Sequence, residues 1–198
     1  MQVASIFPTA IGIDTVNNLS PSEHKHLISY ESHTIVNAGN KITENNYLLD
    51  DPELSNLKTV LESKLQKYFF EIFKTQSATP YITQSWLNFT YQKDFHHEHN
   101  HPNSFLSGVF YLHAVNNDKI FFHRHNESMF EFEPEEFNLF NSHKWWIPVK
   151  TNDVIFFPSR LNHEVGVNET EECRISLAFN TFVKGEFGSV KNLKRLKI

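Results

Sequence analysis

The chain has 198 residues, of which 39% are hydrophobic, and a formal net charge of -5. This length and composition suit one globular domain and exclude a chain that is mainly disordered. The mild, dispersed acidity gives no electrostatic reason to expect nucleic acid as the main ligand.

Cysteine content and hydropathy narrow the class of protein further. Cys173 is the single cysteine, which excludes a disulfide framework within the chain and suits a reducing compartment. No apolar run approaches the length that spans a membrane. We therefore expect a soluble, cytoplasmic protein without membrane contact. The helices predicted in the first eighty residues could pair with those of a second copy and form a homo-oligomer.

Two helix starts are encoded in the first eighty residues. Ser20, Pro21 and Glu23 form the pattern of a cap, a first-turn proline and a capping-box glutamate. Asp51 and Pro52 repeat this signal before a longer segment in which apolar residues recur at three- and four-residue steps. These residues are Leu54, Leu57, Leu61, Leu65, Tyr68 and Ile72. The spacing predicts an amphipathic helix that packs on another element.

After Pro80 the pattern changes from helical to alternating. Short segments rich in β-branched and aromatic residues are separated by Asn, Asp, Pro and Gly, which is typical of antiparallel β structure. They are YITQSWLNFTY, SFLSGVFYLHA, DKIFFHRH, NDVIFFPS and CRISLAFNTFV. We predict one α+β, mainly β domain over residues 1–198. A strand and helices in 1–80 would buttress a jelly-roll core in 81–183, and 184–198 would form a C-terminal tail.

Histidines are concentrated at positions 95–102, which read FHHEHNHP. In an extended segment His99 and His101 point to the same side, as does His97, so two imidazoles could bind one ion. His163, which follows a predicted strand, is the candidate for a third ligand. A metal site, a solvated histidine-rich loop and a pH-sensitive patch are the three interpretations of the cluster.

An arginine follows the last of these histidines at a short distance along the chain. Arg174 lies on the predicted final strand, with Ser176 on the same face. A guanidinium in a polar cavity suits a carboxylate, to which Ser176 could also donate. A dicarboxylate could thus bind the metal at one end and Arg174 at the other. The alternative is a structural salt bridge to Glu171 or Glu172.

Three ordered motifs carry a resemblance to a known family. The segments HNHPNSFLSGVFYL, FFPSRLNHEV and ECRISLAFN resemble Fe(II)/2-oxoglutarate-dependent oxygenases of the double-stranded β-helix superfamily. They are most similar to a prolyl-hydroxylase-like branch with an HxHPxSxxSGxYY signature. The resemblance implies a jelly roll that holds Fe(II), uses 2-oxoglutarate and O2, and hydroxylates a substrate with succinate and CO2 as coproducts.

The resemblance also implies roles for individual residues. His99, His101 and His163 match the catalytic metal-binding motif. Arg174 matches the residue that binds the distal carboxylate of 2-oxoglutarate, and Ser176 completes an Arg-x-Ser pattern. Tyr111 resembles a tyrosine of the prolyl hydroxylases that contacts the same carboxylate.

One departure from the family pattern leaves alternatives open. Most members bind iron with two histidines and a carboxylate, whereas the second ligand position of the motif is His101 in this chain. If the motif is aligned differently, His96 and Glu98 would supply a His-x-Glu pair. A cupin-like three-histidine dioxygenase that does not use 2-oxoglutarate, and a non-catalytic jelly-roll binding module, are the other candidate functions. The substrate could be a small molecule or a peptide.

The sequence gives weaker indications of a role for three further residues near these motifs. We expect His123 and His125 to lie in an exposed loop. Asn88 lies on the strand before the histidines and could contact the cosubstrate.

Overall fold

A computed structural model describes residues 1–124, 132–192 and 194–198. Within these ranges the helices are α1 (Pro21–Ser29) and α2 (Ser55–Phe73). The strands are β1 (Gly12–Thr15), β2 (Thr34–Asn37), β3 (Asn40–Thr43), β4 (Ala78–Thr90), β5 (His96–His99), β6 (Leu106–His113), β7 (Lys119–His123), β8 (Lys144–Pro148), β9 (Asp153–Pro158), β10 (His163–Val165), β11 (Arg174–Phe187) and β12 (Leu196–Lys197). His123 therefore belongs to a strand instead of a loop, and His125 lies outside the described residues.

Helix α1 begins at the predicted capping box. The Ser20 hydroxyl accepts from the Glu23 backbone N–H at 3.1 Å, and the Glu23 carboxylate accepts from the Ser20 backbone N–H at 3.1 Å. The same carboxylate accepts from the backbone N–H of Leu57 at 2.8 Å. Glu23 thus caps one helix and ties it to the first turn of the next.

Helix α2 starts later than the sequence signal and packs on the sheet as predicted. Asp51 accepts from the backbone N–H of Glu53 at 2.9 Å, but it caps a 3-10 turn over Pro52–Leu54 that precedes α2. Leu57, Leu61 and Leu65 are fully buried on the face that contacts the sheet. Ile72, predicted to share that face, is 37% exposed in the last turn.

Two antiparallel sheets form the body of the molecule. The larger has the order β1-β9-β6-β11-β4-β3-β2, with β12 paired to β11, and the smaller has the order β5-β10-β7-β8. The five segments predicted as strands all contain strands. The β2–β3 hairpin, β8, β10 and β12 were not predicted, and β12 pairs with β11 within residues 184–198, which were predicted as a C-terminal tail.

The large sheet has a different environment on each face. One face packs on α2 through a cluster that includes Phe110, Leu177 and Phe179. The other packs on the small sheet through a second cluster, with Tyr111 and Phe122 among its members. This confirms the predicted jelly roll buttressed by helices, and it makes the space between the sheets the interior of the barrel.

The helices that the structure describes include none that is both long and apolar enough to cross a membrane.

Candidate metal centre and anion-binding residues

Three histidines converge at one end of the small sheet. His99 and His163 are direct partners in the β5–β10 ladder, and His101 follows β5. One ring nitrogen from each lies within 4.8 Å of the others, and the Nε2 atoms of His101 and His163 are 3.2 Å apart. That separation is compatible with both nitrogens binding one ion at about 2.0–2.1 Å. The structure thus brings together the three residues that the sequence singled out.

Backbone carbonyls fix the orientation of two of these rings. Nδ1 of His99 lies 2.7 Å from the carbonyl oxygen of His97, and Nδ1 of His163 lies 3.0 Å from that of Leu161. Because a carbonyl oxygen only accepts, each Nδ1 must be the donor. The Nε2 atoms then carry lone pairs, as a metal ligand requires.

Burial keeps the three imidazoles in their neutral form. It lowers the pKa of His163 well below the usual value, and the neighbouring His99 and His101 lower it further. Burial, with a smaller contribution from His99, lowers the pKa of His101 to about 4. Burial also lowers the pKa of His99, although its hydrogen bond to His97 acts in the opposite direction. The cluster at neutral pH is therefore a set of uncharged donors.

The remaining residues of the histidine-rich segment point in two directions. The ring of His96 stacks on that of His99, with centroids 4.3 Å apart, and burial lowers the pKa of His96 to about 3. Glu98 lies on the opposite face of β5, where its carboxylate is 3.2 Å from Nδ1 of His123. A bulge in the β5–β10 ladder breaks the alternation, so the alternative pair of His96 and Glu98 is split between the two faces of the strand.

A polar patch lies on the inner face of the large sheet. Ser176 on β11 lies opposite Tyr111 on β6 and opposite Asn88 on β4. Arg174 is two residues away on the same strand, and all four residues are buried. The side chains predicted for an anion thus share one face of three adjacent strands.

Arg174 has a buried carboxylate partner that the sequence did not reveal. Its Nε donates to Oδ2 of Asp118 at 2.8 Å, and the two side chains are 5% and 0% exposed. Neither glutamate considered as an alternative takes this place, since Glu172 lies 3.4 Å from His113 instead. Asp118 follows two asparagines in a turn before β7, so its sequence context gives no sign of a buried ion pair.

Two buried polar atoms in this patch have no hydrogen-bond partner among the described residues. They are the hydroxyl of Tyr111 and Oδ1 of Asn88. Burial and the charge of Asp118 raise the pKa of Tyr111, against a lowering contribution from Arg174. Tyr111 is therefore a protonated donor, and an unpaired buried hydroxyl of this kind fits a ligand that accepts a hydrogen bond.

Two cavities are lined by residues of these two groups. A cavity of about 330 Å³ is lined by His99, His101, Trp86 and the carboxamides of Asn37, Asn46, Gln84 and Asn180. A second, of about 410 Å³, is lined by Arg174 and Asp118 together with loop residues that follow β6 and β10. His99 and His101 thus line one cavity, and Arg174 lines the other.

Comparison with known proteins identifies the part of the chain that carries these residues. A family model described as "Putative 2OG-Fe(II) oxygenase" matches residues 84–180. This range contains the three histidines, Tyr111, Asp118, Arg174 and Ser176. No curated protein matches the sequence of the chain.

Solved structures share the fold at low sequence identity. The carbocyclase SnoK of nogalamycin biosynthesis, described as non-heme and alpha ketoglutarate dependent, is 14% identical with a TM-score of 0.60, and the match covers 93% of this chain and 85% of SnoK. HygX from Streptomyces hygroscopicus, crystallised with nickel, 2-oxoglutarate and hygromycin B, is 12% identical with a TM-score of 0.59, covering 87% and 82%. A 2OG-Fe(II) oxygenase family oxidoreductase from Burkholderia pseudomallei is 15% identical with a TM-score of 0.56, covering 81% and 78%.

Proposed function

We propose that the chain is an Fe(II)- and 2-oxoglutarate-dependent dioxygenase that hydroxylates a small-molecule or peptidyl substrate, because a family model of 2OG-Fe(II) oxygenases matches residues 84–180. Succinate and CO2 are the coproducts. The observation that carries this proposal is the convergence of His99, His101 and His163 with their ring nitrogens within 4.8 Å.

The three histidines fit a divalent metal. His163 is buried, His99 and His101 are half-buried, and two of the three rings have Nδ1 bonded to a carbonyl, so Nε2 is free to bind the metal. An all-histidine set brings no negative charge, unlike two histidines and a carboxylate, so the bound iron keeps one more unit of positive charge. In this proposal the three rings hold iron at the barrel mouth.

Arg174, Tyr111 and Ser176 are assigned to the distal carboxylate of 2-oxoglutarate. Asp118 accepts from Nε of Arg174 and the Gly166 carbonyl accepts from Nη1 at 3.4 Å, which leaves the Nη2 N–H groups of the guanidinium for a second anion. The unpaired hydroxyl of Tyr111 supplies a further donor. HygX, which has the same fold, was crystallised with 2-oxoglutarate, and this supports a cosubstrate site of the same kind.

The protein contributes geometry and exclusion of water. Bound iron and 2-oxoglutarate supply the oxidising chemistry, in which O2 and 2-oxoglutarate convert a substrate C–H group to C–OH and give succinate and CO2. The cavity over His99 and His101 is the substrate site in this proposal, and Trp86 with the carboxamides around it would orient the substrate.

Anaerobic titration with Fe(II) and then 2-oxoglutarate tests the proposal. The weak visible charge-transfer band of a metal-chelated 2-oxo acid should appear with the wild-type protein and be absent from His163→Ala, which should not retain iron. His113→Ala, an exposed histidine on β6, is the matched control and should keep the band. Succinate formation under air then establishes turnover.

A second candidate is a three-histidine dioxygenase that does not use 2-oxoglutarate. It is favoured by the absence of a carboxylate from the histidine cluster among the described residues, and by the partner that Asp118 already provides for Arg174. Iron binding without a charge-transfer band on addition of 2-oxoglutarate would select this function over the first.

A further inference from the structure

A second group of possible metal ligands lies on the outer face of the small sheet. It consists of Glu98 on β5, Glu164 on β10 and His123 on β7, which we call the outer cluster. One ligand atom from each lies within 4.8 Å of the others. Glu98 and Glu164 directly adjoin His99 and His163 in sequence, so strand alternation places one set of ligands on each face of the same sheet.

Each carboxylate of the outer cluster uses one oxygen for an outside partner and directs the other at the imidazole. Oε1 of Glu98 accepts from Asn162 at 2.8 Å, and its Oε2 lies 3.2 Å from Nδ1 of His123. Oε1 of Glu164 accepts from Lys144 at 2.6 Å, and its Oε2 lies 3.4 Å from Nε2 of His123. Such outside partners are what holds ligating carboxylates in place around metals.

The ion pairs within the outer cluster leave one buried nitrogen of His123 without a hydrogen bond among the described residues. Nε2 of His123 is buried and has no hydrogen-bond partner among the described residues, although the Glu164 carboxylate is 3.4 Å away. Their relative orientation therefore does not make a hydrogen bond. A buried nitrogen without a partner is costly, and a coordinated cation would remove that cost.

The charges of the outer cluster also suit a cation. A metal-bound imidazole is unprotonated, so two carboxylates against the single ammonium of Lys144 leave one net negative charge. One imidazole and two carboxylates are donors that Zn²⁺ accepts in proteins. We propose that the outer cluster binds a divalent transition-metal ion of the Zn²⁺ type, separate from the centre at His99, His101 and His163. Such an ion would cross-link β5, β10 and β7, the three strands behind that centre.

Zinc content of matched variants at a fixed free Zn²⁺ concentration tests this proposal. The wild-type protein should hold one ion more than Glu98→Gln and one more than His123→Ala. The glutamine is isosteric and keeps an acceptor for Asn162, so it guards against a loss caused only by misfolding. His113→Ala, whose carboxylate neighbour is the exposed Glu172, should match the wild-type content. Equal zinc content in wild type, Glu98→Gln and His123→Ala would overturn the proposal.

A further variant and the position of the ion distinguish a coordinated ion from an ion-pair network. Asn162→Ala removes the hydrogen bond that orients Glu98 and should weaken binding by about tenfold. Anomalous scattering at the zinc edge should place the extra ion beside His123. A peak at His99, His101 and His163 alone, with the site at His123 unoccupied under saturating zinc, would refute the assignment.

Discussion

Arg174 and Asp118, which are 56 residues apart in sequence, form an ion pair of 2.8 Å in the interior of the jelly roll. The carboxylate also accepts from the backbone N–H groups of Val115 and Lys119. This network fixes the direction of the guanidinium and compensates its charge. The proposed anion-binding arginine is thus held in place by the protein itself.

Asp118→Asn should destabilise the fold strongly. The substitution leaves a buried guanidinium without its counter-charge, which costs about 3–5 kcal/mol. Urea denaturation of the purified protein measures this change. Glu172→Gln, at an exposed carboxylate, is the control and should change stability by less than about 0.5 kcal/mol. A loss below about 1 kcal/mol in Asp118→Asn would show that the pair contributes little.

Arg174→Lys should weaken binding of 2-oxoglutarate more than binding of iron. Lysine keeps the positive charge but lacks the planar guanidinium, whose N–H groups can donate to Asp118 and to a second carboxylate at the same time. Loss of one charge-assisted hydrogen bond corresponds to about a tenfold higher dissociation constant. Titration of the charge-transfer band with 2-oxoglutarate at saturating Fe(II) gives that constant. Arg160→Lys, at an exposed arginine, serves as the control. Equal dissociation constants for 2-oxoglutarate in the two variants would show that Arg174 does not bind the cosubstrate.

The Glu23 carboxylate should make stability depend on pH in the acid range. Burial raises the pKa of Glu23, but hydrogen bonds from Ser20, Leu57 and Asn56 outweigh this, and the pKa is lowered below its ordinary value of 4.5. The stabilisation is therefore complete above that value and is lost as the pH falls through the lowered pKa of the folded protein. Glu23→Gln should cost about 1–2 kcal/mol at pH 7.

Thermal unfolding at several pH values tests this dependence on Glu23. The difference in stability between wild type and Glu23→Gln should shrink as the pH falls below the ordinary pKa of 4.5 and through the lowered pKa of the folded protein. A difference that stays constant from pH 7 to pH 3 would mean that the ionised carboxylate is not what stabilises the helix start.

Gly108→Ala should disrupt the core beneath the site. Gly108 on β6 pairs with Phe179 on β11, and a Cβ at this position would overlap the Phe179 ring. Overpacking of this kind costs about 1–3 kcal/mol. Gly166→Ala is the matched control, since its Cβ would lie 3.4 Å from the nearest atom, on Phe121. Chemical denaturation should show a loss for the first variant and little change for the second.

Local patterns predicted most elements of this fold. The Ser20 capping box, the apolar spacing of α2 and the alternation of five β segments depend on neighbours within a few residues, and all reappear in the structure. The β2–β3 hairpin was missed because each of its strands has only four residues, and five of these eight residues are polar. Ile72 follows the periodic pattern, but it lies in the last turn of α2, where it is partly exposed.

The sequence by itself determined which residues share a face, because alternation in a strand is a local property. It could therefore place His99 and His101 on one side and Arg174 with Ser176 on one strand face. Only the tertiary structure decided which strands meet: it set His163 opposite His99, buried Asp118 against Arg174 and gathered Glu98, His123 and Glu164 on the outer face. These contacts depend on pairing register between segments tens of residues apart, and that register is fixed by packing of the whole barrel.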